Sequence, residues 1–144
     1  MPDIFQDVPI NSDVDSVFEC VSMPSGLSVW WSKSGEGEPG AGNEYRFDFG
    51  PGYEWKALVE KYEPGKSFAI RMTESDDDWD GTIVSFRLEK TETGSMLRFE
   101  HRGWPKDNRH YRSSAYCWAM YVRCLKNYLE KGETLDYEKR FTGE

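Results

Sequence analysis

The sequence predicts an α+β fold: a curved antiparallel sheet of about six strands around one long C-terminal helix, with two short helices after the first strand. Three observations carry this. Between residues 45 and 102, segments alternate apolar and polar side chains with period two and are separated by short Gly, Pro or Asp breaks. Near the C-terminus, one long segment is apolar at three-to-four spacing instead. At 144 residues the chain can bury roughly two-thirds of its unfolded surface in one core, so 1–144 reads as a single domain.

Ile4, Gln6, Val8 and Ile10 alternate with Phe5, Asp7 and Pro9 as a first strand. Ser12-Asp-Val-Asp15 then has the form of a capping box with Asp in place of Glu. Val14, Val17, Phe18 and Val21 follow at helical spacing, and Pro24 with Gly26 ends that helix. A second short helix, about Leu27 to Trp31, carries the Trp30-Trp31 pair, and Ser34 to Gly42 reads as a turn-rich loop. Strands follow on Tyr45/Phe47/Phe49, Trp55/Ala57/Val59, Phe68/Ile70/Met72, Thr82/Val84/Phe86/Leu88 and Leu97/Phe99/His101. The breaks at Gly50-Pro-Gly52, Pro64-Gly65, Asp76 to Asp80 and Thr93-Gly94 are hairpin-sized. After Pro105 and a cap at Asp107 or Asn108, Tyr111, Ala115, Trp118, Val122, Leu125 and Leu129 mark a helix of about 33 Å, from about Arg109 to Glu130. Lys131-Gly132 ends it, and 132–144 reads as a peripheral tail.

Composition narrows the function classes. A net charge of −8 and a sequence pI near 4.9 argue against nucleic acid and anionic membrane surfaces, which need clustered Lys and Arg. No apolar run approaches the ~18 residues of a membrane-spanning helix, and the N-terminal residues lack the basic and apolar regions of a signal peptide, so the chain reads as cytoplasmic. Cys20, Cys117 and Cys124 form no CxxC; Cys117 and Cys124, seven apart on one helix, are about 10.5 Å apart along its axis, too far for a disulfide. Free thiols in a reducing compartment are expected.

The order of elements and several motifs resemble the START-like, or SRPBCC, superfamily with its helix-grip fold. Within it the chain is similar to small stand-alone proteins related to the activator of heat-shock protein 90 ATPase. The motifs are Val8-Pro-Ile-Asn-Ser-Asp-Val-Asp-Ser-Val-Phe18, Trp30-Trp31, Pro39-Gly-Ala-Gly42 and Tyr45-Arg-Phe-Asp-Phe49. Leu58-Val-Glu-Lys-Tyr-Glu-Pro-Gly-Lys66 and Leu97-Arg-Phe-Glu-His-Arg-Gly-Trp104 continue the match. The resemblance implies a pocket between sheet and long helix. It also implies a spectrum of roles: ligand binder, cyclase-type enzyme, or co-chaperone module.

Six Trp, eight Tyr and eight Phe are the candidate lining. Trp30, Trp31, Phe47, Trp55, Phe99, Tyr111 and Trp118 are expected to wall a site for an apolar or aromatic small molecule, with His101 orienting it. The same rings can instead fill the space as a solid core, and His101 can be a core histidine with protein partners. His110, in the first turn of the long helix, is expected to be solvated. Asp76, Asp78, Asp80 and Gly81 match the start of a calcium loop, but Arg87 stands where its bidentate Glu belongs, so an acidic hairpin turn is the reading. No zinc ligand set, phosphate loop or nucleophile motif is present, so no metal, cofactor or catalytic residue is assigned. Three functions are carried forward: small-molecule binding, a co-chaperone-like module with a protein partner, and a cyclase or hydrolase with His101 as base.

Overall fold

The computed structural model describes residues 2–140. Its elements run β1 (Ile4–Ile10), α1 (Val14–Ser22), α2 (Pro24–Trp30), β2 (Ser34–Glu36), β3 (Glu44–Asp48), β4 (Glu54–Glu63), β5 (Ser67–Glu74), β6 (Ile83–Lys90), β7 (Ser95–Arg102) and α3 (Arg109–Lys131), then a single 3₁₀ turn at Tyr137–Lys139. The strands form one antiparallel sheet in the order β1-β7-β6-β5-β4-β3-β2. Strands β2 to β7 are a meander, and β1 joins its far end beside β7. Helix α3 lies against the inner face, α1 packs on β5 and β6, and α2 packs on β2.

The sheet has seven strands, one more than expected. The extra strand, β2, falls in the segment read as a loop. Ser34, Gly35 and Glu36 have no apolar alternation; they are a strand only because they pair with Asp48, Phe47 and Arg46 of β3. Along β4 the inward alternation is interrupted after Val59. The register slips between Val59 and Lys61, so Glu60 is the extra residue of a bulge. Inward parity then passes from Val59 to Tyr62, whose ring meets Phe18 at 5.5 Å.

The helix ends also depart slightly from expectation. The cap of α1 is Asp13, whose side chain accepts from Ser16 N, while the Ser12 carbonyl accepts from Ser95 Oγ. Pro24 does not merely stop α1. It opens α2 at its first turn, where a missing N–H costs nothing. Asn108 caps α3 through Tyr111 N at 2.8 Å, and Gly132 closes it at φ +71°. Of the tail, residues 141–144 lie outside the described residues. Residues 132–140 turn back along the molecule: Tyr137 donates to the Phe49 carbonyl at 3.0 Å, and Arg140, buried, donates to the carbonyls of Ser32 and Leu135.

Candidate functional site between the sheet and the long helix

The inward residues of β3, β7 and α3 meet the end of α2 in one aromatic cluster. Trp31 reaches it because α2 ends at Trp30 and turns the next side chain onto the sheet. Trp31 lies 4.9 Å from Phe47 and 5.2 Å from Trp118 between ring centres. Trp118 in turn meets Phe99 at 4.6 Å and His101 at 5.8 Å. These side chains are buried together with Trp30. Two of the expected wall residues sit to either side. Trp30 donates to the Cys20 carbonyl and meets Phe86, and Tyr111 donates to the Asp3 carbonyl and meets Trp104. Trp55 is half-buried and joins through Phe49 and Trp79.

Trp79 is the residue that sequence reasoning passed over. It projects from the acidic β5–β6 turn into the middle of the cluster, 4.5 Å from His101, 5.2 Å from Trp55, 5.7 Å from Trp118 and 6.0 Å from Trp104. Its plane is within 16° of Trp31 and 22° of Trp118. The turn is shaped by its own carboxylates. Asp76 accepts from Trp79 N at 2.9 Å, and Asp80 accepts from Ser75 N and Oγ at 2.7 Å. Asp78 instead reaches α3, accepting from Asn108 Nδ2 at 3.2 Å and lying 2.9 Å from His110 Nδ1. With its other nitrogen 3.5 Å from Asp76, His110 ties the turn to the helix, while its side chain remains 41% exposed to solvent as expected. The bonds from His110 and Asn108 hold Asp78 below the usual carboxylate range, whereas burial raises Asp76. Asp76 and Asp78 thus share His110 while Asp80 turns to Ser75, an arrangement that serves the turn.

His101 is a core histidine with protein partners. Trp118 Nε1 can only donate, and it lies 2.9 Å from His101 Nδ1. The imidazole proton therefore sits on Nε2, which donates to Thr82 Oγ1 at 2.8 Å; that hydroxyl donates onward to the Trp79 carbonyl at 2.6 Å. Burial, with a smaller contribution from the nearby His110, lowers the His101 pKa to about 3. The ring is neutral at neutral pH, and both nitrogens are occupied, which disfavours proton transfer to a substrate. Three other buried polar atoms, Ser32 Oγ, Trp79 Nε1 and Trp104 Nε1, have no hydrogen-bond partner among the described residues.

Cys20, Cys117 and Cys124 are free, and burial raises all three thiols, Cys20 to about 12, so none is an activated nucleophile. Among the described residues no group of three or more His, Cys, Asp or Glu is placed to hold a metal ion. No described helix is long and apolar enough to cross a membrane. Several grooves open on the surface of the molecule. One, of about 470 Å³, lies over the β2–β3–β4 edge and is lined by charged side chains beside Phe47 and Trp55.

This arrangement of sheet, paired short helices and gripping helix matches a known family model, the Activator of Hsp90 ATPase homolog 1-like protein, over residues 11–130. The chain belongs to that family. Its fold is shared with the solution structure of the Aha1 dimer from Colwellia psychrerythraea, at 26% identity and a TM-score of 0.84, covering 92% of this chain and 99% of that one. It also matches protein SSP2350 from Staphylococcus saprophyticus (20% identity, TM-score 0.78, 93% and 96% covered). Protein MLL2253 from Mesorhizobium loti is similar at 20% identity and a TM-score of 0.80, covering 92% and 99%. These last two likenesses concern the fold alone. Among curated proteins none matches this chain.

Proposed function

We propose that this member of the Activator of Hsp90 ATPase homolog 1-like family binds a flat apolar or aromatic small molecule between its sheet and α3, in the place that the Trp79 indole fills. The observation that carries this reading is the seat of Trp79. Its neighbours Trp31, His101, Trp104 and Trp118 stand on or beside regular elements, whereas Trp79 comes from a turn. Its indole N–H is buried without a partner among the described residues, which costs about 1–3 kcal/mol. One ring in a stack of rings is thus carried by a turn rather than by a helix or strand, and its indole N–H is unsatisfied. A ligand of similar shape would meet the faces of Trp31 and Trp118, with Phe47, Trp55 and Phe99 as apolar walls. Trp30 and Tyr111 would brace those walls. His101 would act by fixing the Trp118 indole rather than by touching the ligand with a free nitrogen.

The test is titration of the wild-type protein with planar aromatics such as 2-naphthol, followed by tryptophan fluorescence and by amide exchange. Saturable binding should speed exchange of the Asp80 and Gly81 amides while slowing exchange along α3. Trp79→Ala should bind the same compounds more tightly. Binding by Trp79→Ala alone, with none by the wild type up to the solubility limit, would mean that the mutation made the space and would refute the reading.

A further inference from the structure

The outer face of α3 has a separate character. Arg109, Arg112, Tyr116, Ala119 and Arg123 recur at three-to-four spacing and are all exposed, opposite the buried Ser114, Trp118, Val122 and Leu125. At 1.5 Å per residue the stripe is about 21 Å long. Helix α3 carries five Lys and Arg against a single Glu, within a chain whose net charge is −8. That one acid, Glu130, is engaged by Lys126 Nζ and by Asn11 N. Arg112 is paired with Asp107, but Arg109 and Arg123 have no ion pair among the described residues. Tyr116, between them, is 62% exposed and borders a shallow depression with Arg109, Arg112, Ser113 and Cys117.

An ordinary solvated helix face mixes charges, because acid–base pairs at i,i+4 stabilise it and a single sign repels itself. Here a chain with 26 acids and 18 bases leaves acids off this stripe altogether. The first turn of α3 also lacks an acid, although the helix dipole favours one there. The helix itself thus presents a short basic track around an exposed aromatic ring, while the acids near its start, Asp107 and Asp78, come from the segments outside it.

We propose that this face docks an acidic segment of a partner protein. Arginine forks match carboxylates in paired geometry, and Tyr116 offers the amphipathic ring common at the centre of such contacts. The acidic remainder of the molecule would repel a polyanion or a charged bilayer extending beyond the stripe, which selects a segment about four turns long over nucleic acid or membrane.

The experiment is fluorescence anisotropy with a labelled peptide of about 14 residues, the helical length that spans the stripe, made of Glu and Asp around a central Leu-Phe pair. Oligo(dT) of equal length and phosphatidylserine vesicles serve as competitors. The wild type should bind the peptide with an affinity that falls with salt. The exposed double reversal Arg112→Glu/Arg123→Glu should weaken binding at least tenfold, and Tyr116→Ala several-fold. Arg46→Glu, on the sheet, should leave it unchanged. Absence of peptide binding, indifference to the double reversal, or tighter binding of oligonucleotide or vesicles would overturn the proposal.

Discussion

His101 offers the sharpest quantitative test, because its protonation is tied to folding. In the unfolded chain an imidazole titrates near 6.5; in the fold it does so at about 3. Between these values the unfolded state takes up a proton that the folded state refuses, so stability falls as pH drops below 6.5 and stops falling below 3. At 1.36 kcal/mol per pKa unit, the full loss is about 5 kcal/mol, of which about 2 kcal/mol is expressed between pH 8 and pH 5. His101→Phe keeps a ring against Trp79, Trp104 and Trp118 but removes the titration. It also strands Trp118 Nε1, costing about 1–3 kcal/mol at every pH.

The assay is urea unfolding of both proteins, followed by tryptophan fluorescence at pH 8 and pH 5. At pH 8 the variant should be the less stable by that amount. At pH 5 the gap should shrink by about 2 kcal/mol, or reverse, because the wild type alone bears the cost of a proton-refusing ring. The remaining charged groups are the same in both proteins, so their contributions largely cancel in the difference. Parallel pH profiles, with the gap constant to within about 0.5 kcal/mol, would refute a buried neutral His101 and with it the Trp118–His101–Thr82 chain.

Two further substitutions probe the frame of the site. Gly94→Ala would place a Cβ against the Ile10 carbonyl and 2.7 Å from Ser12 N, at φ +159°; a loss of at least about 2 kcal/mol is expected, seen as a Tm lower by roughly 4–8 °C. Asn108→Ala removes both the α3 cap and a tie to the Trp79 turn and should cost about 1–2 kcal/mol, whereas Asn108→Ser should recover most of it in the same unfolding assay; equal losses for the two would remove the cap from the account.

The strands with clean alternation, and α3 with its apolar stripe, were legible because period and burial coincide there. Tyr45 and Phe47, then Leu97, Phe99 and His101, face inward as their parity requires. Strand β2 was illegible for the opposite reason: three small or polar residues carry no period, and only pairing with β3 defines them. The partners of His110 lie 32 and 34 positions away, on a turn across the molecule, so no window around the helix start contains them. For His101, parity placed the ring inside. What satisfied it was a tryptophan from α3 and a threonine from the edge of β6, a combination fixed by three elements at once.

Trp79 shows most plainly how polarity can conceal a core residue. Four aspartates around it mark the segment as surface, but three of them also shape the turn or tie it down. Asp76 and Asp80 bend the backbone, and Asp78 anchors it through His110 and Asn108. An acidic turn therefore serves as the handle for an apolar ring. Rings on α3 and β7 cannot leave without unfolding a helix or breaking a ladder of backbone hydrogen bonds. The ring on the turn is held by backbone bonds within the turn and to Met72, by side-chain bonds to two helix-start residues, and by stacking, each worth only a few kcal/mol at most. Trp79 is thus a ring whose displacement would leave the Trp118, Phe99 and Phe47 walls on α3, β7 and β3 standing.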